Sequence, residues 1–157
     1  MANLILKPGR EKSLLRRHPW IFSGAIQQVD GSPASGSTVD LLSSDKKFLA
    51  RASYSPNSQI SARVWTFKDE PVDKEFFRKR IRSAIRSRDI WTPLQAAAVI
   101  PDTDSYRLIY AESDSLPGLI VDRYGDVLVL QSLTTGSEYW KETFADLLLE
   151  ETGLAAI

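Results

Sequence analysis

The hydrophobic pattern of this chain changes its period at Pro71, and that change most constrains the fold. Before Pro71, Ile60–Phe67 alternates apolar Ile60, Ala62 and Val64 with Ser61, Arg63 and Trp65, as a half-buried strand does. After it, apolar residues recur at helical spacing: Phe77, Ile81, Ala84 and Ile85. A period of two and a period near 3.6 do not share one element. We therefore predict two domains, residues 1–70 and residues 71–157.

The N-terminal domain consists of short extended segments separated by turn-forming residues. The predicted strands are Asn3–Lys7, Trp20–Ile26, Thr38–Leu42, Phe48–Ser53 and Ile60–Phe67. A short helix over Arg10–Arg17 is expected to face Leu14 and Leu15 inward and its basic residues outward. Many short strands with one short helix in fewer than 70 residues indicate a small β-barrel.

The C-terminal domain reads as a helix, a three-stranded sheet and a helix. Its predicted elements are a helix from Lys74 to about Ile90 with Asp73 as N-cap, an irregular connector over Leu94–Asp104, strands at Tyr106–Ala111, Leu119–Arg123 and Val127–Leu133, and a helix from Glu138 to about Glu151 between a Ser137 cap and Gly153. The whole chain is therefore predicted to be mixed α/β, of the α+β kind.

The last four residues, Leu154–Ile157, resemble the opening of an apolar strand. This pattern indicates a domain that continues beyond residue 157, with an incomplete sheet edge here. An uncovered edge offers unpaired backbone groups to another chain, so a homodimer is a possible assembly.

Charge divides the chain into two unlike halves. Residues 1–100 carry 17 Lys and Arg against 9 Asp and Glu, whereas residues 101–157 carry 3 against 11. Such asymmetry fits two interpretations equally well: one part that meets a polyanion, or two solvated surfaces that differ in charge. No apolar run reaches the roughly 20 residues that a membrane span needs, so no membrane partner is expected.

Three segments carry a resemblance to a known family. They are Glu112–Gly125 (ESDSLPGLIVDRYG), Lys7–Ile26 (KPGREKSLLRRHPWIFSGAI) and Tyr54–Phe67 (YSPNSQISARVWTF). The first resembles a run in the RNA methyltransferases that modify C5 of a cytosine in large-subunit ribosomal RNA. The second resembles the N-terminal PUA-type RNA-binding domain of the same proteins. The resemblance implies a PUA-type pseudo-barrel, a central α/β domain, ribosomal RNA as partner, S-adenosylmethionine as cofactor of the full-length protein, and a cytoplasmic location.

The basic residues of two segments become RNA-binding candidates in the light of that resemblance. They are Lys7, Arg10, Lys12, Arg16, Arg17 and His18 around the first short helix, and Arg78 and Arg82 on the long helix. Lysine and arginine neutralise phosphates, and an exposed aromatic side chain can stack on an unpaired base. Solvated surface positions are the alternative for these cations. For the neighbouring Trp20 a core position is favoured over stacking.

Residues that would perform methyl transfer are not evident in this chain. Attack on C6 of cytosine calls for a nucleophile such as a cysteine thiolate, and the sequence has no cysteine. None of its eight glycines is spaced G-x-G, as in a strand–turn–helix cofactor site. We therefore expect no catalytic residue, no cofactor site and no metal site here. Two alternatives stay open beside the methyltransferase interpretation: a stand-alone RNA-binding module, and an adaptor whose basic half binds an acidic protein.

Overall fold

The computed structural model describes residues 2–89 and 103–157. The chain divides into two compact units. The first unit is Met1–Val72 together with Thr134–Tyr139, and the second unit is Asp73–Leu133 together with Trp140–Ile157. The six-residue segment Thr134–Tyr139 therefore packs with the N-terminal residues, although second-unit segments flank it in the sequence.

A curled six-stranded sheet forms most of the first unit. Its elements are β1 (Asn3–Leu6), helix α1 (Lys12–Leu15), β2 (Trp20–Phe22), a 3₁₀ turn (Ser23–Ala25), β3 (Ile26–Asp30), β4 (Thr38–Leu42), β5 (Phe48–Tyr54) and β6 (Ile60–Thr66). The strands lie in the order β2-β6-β5-β4-β1-β3. All neighbouring pairs are antiparallel except β1 and β4. Four of the five pairs contain a register shift, and such shifts bend and twist a sheet.

The inward side chains of this sheet form the core of the first unit. They are Leu4, Leu6, Leu14, Ile21, Val39, Leu41, Ala50, Ala52, Ala62 and Val64. Alanines occupy the middle of β5 and β6, where small side chains let the curled strands approach closely. One inward prediction is wrong: Leu14 is 2% exposed, but Leu15 is 68% exposed. Because α1 has only four residues, adjacent leucines cannot both face one core.

A short helix from the C-terminal half, α3 (Thr135–Tyr139), packs against this sheet. The Thr135 hydroxyl lies 2.5 Å from that of Ser55. Two glycines permit the close approach. A Cβ on Gly136 would lie under 3.0 Å from Ser53, and a Cβ on Gly36 would lie under 3.0 Å from the Thr135 carbonyl oxygen. The packing of α3 therefore depends on the absence of both side chains.

Within its described residues, 73–89, 103–133 and 140–157, the second unit contains a three-stranded antiparallel sheet and two helices. Its elements are α2 (Lys74–Arg88), β7 (Ser105–Tyr110), a 3₁₀ turn (Ala111–Asp114), β8 (Leu119–Tyr124), β9 (Val127–Ser132) and α4 (Lys141–Thr152), with the strands in the order β7-β8-β9. Asp73 caps α2, because its carboxylate accepts a hydrogen bond from the Phe76 amide at 2.9 Å. Phe77 packs edge-on to Phe144, with 4.8 Å between ring centroids. The two helices thereby share an aromatic core.

These elements confirm the predicted mixed α/β class, the three strands and the Asp73 cap. One predicted helix, from Glu138 to about Glu151, is corrected to two, α3 and α4, with a break at Trp140. Its predicted cap is corrected as well, since the Ser137 amide donates to the Thr134 hydroxyl at 3.2 Å. Thr134 therefore caps α3.

Two further features concern the ends of the second-unit elements. Gly153 ends α4 in the left-handed conformation, at φ 69°, as predicted. The Leu128 amide donates to the Ala156 carbonyl oxygen at 3.1 Å, so the apolar C-terminal segment pairs with β9 at one point. The connector predicted over Leu94–Asp104 lies, up to Asp102, outside the described residues. In the described part of the chain, no helix combines the length and apolarity that crossing a bilayer requires.

Candidate nucleic-acid interface

Helix α1 and the turn after it present a set of exposed cations on the first unit. Arg10, Lys12, Arg16 and Arg17 all have exposed side chains. Arg17 adopts a left-handed backbone at φ 63°, which reverses the chain and leads it into β2. Its guanidinium lies 4.8 Å from the centroid of the Phe67 ring, within cation–π distance. The local backbone thus holds four positive charges around a single turn of helix.

A groove of about 550 Å³ lies beside these cations. Arg10, Lys12 and Ser13 form one part of its lining, and Trp20 and Phe22 of β2 form another. Lys7 is exposed, and its Nζ donates to the Gly24 carbonyl oxygen at 2.9 Å, which ties β1 to the 3₁₀ turn at the groove. Three predicted RNA-binding residues therefore lie in or next to one concave surface.

His18 and Trp20 form a local pair at the start of β2. The Trp20 amide donates to Nδ1 of His18 at 3.2 Å, and the two rings meet edge to face at 5.7 Å. Trp20 is 36% exposed, so the predicted core position of Trp20 is wrong. The reason is that Ile21, at 1% exposure, supplies the inward side chain of β2, and its neighbours on the strand face outward.

Phe22 was not among the sequence candidates, although it is 51% exposed beside the same groove. The signal was present in the alternation Trp20–Ile21–Phe22, because an inward Ile21 requires outward aromatic residues on both sides. The seven residues Trp20–Ile26, five of them apolar or aromatic, were predicted to be an extended segment without a choice of the inward face.

Arg78 and Arg82, the other two candidates, belong to the second unit and are held in ion pairs. Arg78 contacts Glu151 at 2.6 Å and Glu150 at 2.6 Å, and Arg82 contacts Glu151 at 2.5 Å. The hydrogen bonds that Arg78 donates to Glu151 and Glu150 raise the pKa of Arg78. These contacts link α2 to α4. They give both arginines a structural role that competes with phosphate binding.

The same network sets the charge state of Glu151. Arg82 lowers the pKa of Glu151 most, partial burial opposes that effect, and Arg78 lowers the pKa further, with a net decrease. A carboxylate whose pKa is depressed on folding stabilises the folded state above its unfolded value, about 4.5, and this stabilisation is lost as pH falls through the lower folded value.

We expect Glu151→Gln to lower the free energy of unfolding at pH 7. Between about pH 5 and pH 3, the free energy of unfolding should then fall less in the variant than in the unmodified chain. The physical reason is that the variant lacks the carboxylate that must be protonated in acid. Urea unfolding at a series of pH values measures both effects. Asp146→Asn, at an exposed position of the same helix, is the control. An Asp146→Asn profile that matched Glu151→Gln would contradict the prediction.

The described residues do not fit a methyl-donor site of the Rossmann type. Such a site needs a strand, a glycine-rich turn and a helix next to a parallel strand. The sheet of the second unit is antiparallel throughout, and the parallel pair of the first unit, β1 and β4, has no helix that follows a glycine-rich turn between its strands. No chemical step through S-adenosylmethionine is assigned to these residues.

Known proteins of two kinds are similar to this chain: a domain family and a group of full-length enzymes. Residues 4–67 match the family model of a PUA-like domain, and these residues contain all six strands of the curled sheet except the first residue of β1. The chain is also 54% identical, over 148 residues, to the ribosomal RNA large subunit methyltransferase I of Yersinia pseudotuberculosis serotype O:1b (strain IP 31758) and to that of Yersinia pestis. The match covers 94% of this chain and 36% of each relative. The resemblance to large-subunit ribosomal RNA methyltransferases and to a PUA-type domain is thereby confirmed.

Solved structures show the same fold. A protein from Streptococcus mutans described as a SAM-dependent methyltransferase matches 99% of this chain with a TM-score of 0.77, and the match covers 40% of that protein. A methyltransferase complexed with SAH, SMU.776, matches 99% of this chain and 39% of its own length, with a TM-score of 0.80. Both are 20% identical to this chain. These matches establish the fold, and the chain spans a minor part of the length of every relative named here.

Proposed function

We propose that this chain is the RNA-binding part of an S-adenosylmethionine-dependent 23S rRNA (cytosine-C5) methyltransferase. In this proposal it positions ribosomal RNA, and residues outside the 157 supply the nucleophile and the methyl-donor site. The proposal carries a cytoplasmic location, where ribosomal RNA is found. The possible homodimer stays a prediction, which sedimentation velocity would decide.

One observation carries the proposal: exposed Arg10 and Lys12 border a groove with two aromatic side chains, on a PUA-like domain. Cations supply phosphate affinity, and aromatic rings supply base contacts that phosphate binding lacks. The relatives at 54% identity carry the name of a ribosomal RNA methyltransferase, which supports ribosomal RNA as the nucleic acid.

The decisive experiment measures binding of the 157-residue chain to a 23S rRNA fragment over a range of salt concentrations. We expect log K to fall steeply and linearly with log salt concentration, because phosphate contacts release counterions. A flat dependence would contradict RNA binding and favour a protein partner. In parallel, unmodified 23S rRNA incubated with labelled S-adenosylmethionine should stay unlabelled. Saturable binding of the methyl donor by this chain would contradict the proposal that residues outside the 157 supply the methyl-donor site.

A further inference from the structure

Two aromatic side chains of one strand, Trp20 and Phe22, line the groove on the first unit. Trp20 and Phe22 are two positions apart on β2 and lie on its outward face, on either side of buried Ile21. Strand residues rise about 3.3 Å each, which separates these two positions by roughly 6.7 Å. Stacked bases are spaced by about 3.4 Å. Rings held parallel at these two positions would be about two stacking distances apart, which is the space that a single base needs.

The position of β2 makes this space reachable. Among the residues that the structure describes, the strand forms an edge of the six-stranded sheet and pairs with β6 alone. The groove that it borders has a volume of about 550 Å³, within the range of sites for small organic molecules. A register shift in the β2–β6 pairing lies between Ile21 and Phe22, and shifts of this kind re-aim a side chain.

The charges at the groove favour a nucleotide over a cationic or neutral ligand. Arg10, Lys12 and Ser13 line it, and none of its described lining residues is acidic. Flat apolar surfaces flanked by cations match a base joined to phosphates. A peptide without an anionic group would leave both cations uncompensated.

We propose that this groove is a subsite for a single unpaired nucleotide of RNA, with its base inserted between Trp20 and Phe22 and its phosphates held by Arg10 and Lys12. The proposal rests on the proposed function, which it deepens by naming the form of RNA. Bases within an A-form duplex are already stacked and paired, so only a bulged, looped or terminal nucleotide can enter. The first unit would thus select RNA by local unpairing, with little dependence on base identity.

The test uses two RNA hairpins that differ in one respect, a bulged 2-aminopurine against the same nucleotide paired in the stem. We expect the 157-residue chain to bind the bulged hairpin about tenfold more tightly or better, and to quench the fluorescence of the bulged base by stacking. Trp20→Ala and Phe22→Ala should each abolish most of this preference and the quenching. Their salt dependence should stay that of the unmodified chain, since no cation is removed.

Controls separate stacking from folding. Trp20→Phe and Phe22→Tyr keep an aromatic ring and should retain the preference, whereas Tyr124→Ala removes an exposed ring from the second unit and should change nothing. Equal binding of both hairpins by the unmodified chain, with a steep salt dependence, would overturn the subsite and leave RNA binding intact. Loss of preference in Trp20→Phe as well as Trp20→Ala, with both folded, would overturn stacking as the mechanism. Binding that did not depend on salt concentration would contradict the proposed RNA-binding function itself.

Discussion

Gly36→Ala is expected to destabilise the first unit by about 3–5 kcal/mol, a large part of the 5–15 kcal/mol that ordinary domains possess. Two effects add. Gly36 has φ 83°, where an L-residue costs roughly 1–2 kcal/mol. The new Cβ would also lie under 3.0 Å from the Thr135 carbonyl oxygen, a backbone atom that cannot rotate away. Urea unfolding followed by circular dichroism measures the change in free energy.

Gly153→Ala is the matched control for that substitution. Gly153 has φ 69°, and a Cβ there would meet nothing within 4 Å. It isolates the backbone term, so we expect a loss of only about 1–2 kcal/mol. Equal losses for Gly36→Ala and Gly153→Ala would show that α3 does not pack on the loop that contains Gly36.

Gly136 is the second glycine in the contact between α3 and the sheet, and a double substitution tests its role. Gly136→Ala would drive its Cβ into the Ser53 side chain. Ser53→Gly removes that side chain, so the pair together should cost less than the sum of the two single changes, a non-additivity that contacting residues show. Strict additivity would contradict direct contact between the two positions.

Replacing Arg10, Lys12, Arg16 and Arg17 together by alanine should weaken RNA binding strongly and flatten its salt dependence. If each side chain neutralises one phosphate of single-stranded RNA, the slope of log K against log salt should fall by roughly 3. All four side chains are exposed, so the fold should persist, and circular dichroism checks this. Fluorescence anisotropy with the 23S rRNA fragment measures the affinity.

Four exposed cations elsewhere provide the control of equal charge: Lys47, Lys68, Lys79 and Arg86. Their joint replacement changes the net charge by the same amount. A specific surface on α1 predicts that this control keeps a much steeper slope than the α1 variant. If both variants gave the same slope of log K against log salt, RNA binding would depend on net charge and not on the α1 surface.

The sequence predicted most elements because local pattern decides them. The strand near Ile60–Phe67, the helical spacing after Asp73 and the left-handed Gly153 are properties of neighbouring residues, and the structure contains all three. The half-buried alternation predicted for that strand is wrong, because Ser61 and Trp65 are buried on the face opposite Ala62 and Val64. Leu15 and Trp20 were misplaced for one shared reason. Both stand next to a residue that takes the inward position, and only the tertiary path decides which of two adjacent apolar side chains is buried.

The candidate site was partly predictable. Basic residues around α1 were visible as a cluster in the sequence, and the structure places Arg10 and Lys12 on one groove. The partners of Arg78 and Arg82 were not visible, because Glu150 and Glu151 lie about 70 positions away. Ion pairs between residues far apart in the sequence produce no periodic pattern from which they could be predicted. The separate helix α3 was missed because its length, five residues, is too short for a hydrophobic period to show.

Helix α3 packs in the first unit although it lies far from the rest of that unit in the sequence. This arrangement affects whether the N-terminal residues can be transferred to another protein on their own. The chain passes between the two units three times, after Val72, after Leu133 and after Tyr139. A genetic recombination that transferred only the N-terminal 72 residues to another protein would leave α3 behind, and with it the cover over Gly36 and Ser53. The residues that match the PUA-like family model, 4–67, are continuous in the sequence, whereas the unit that contains them also includes Thr134–Tyr139.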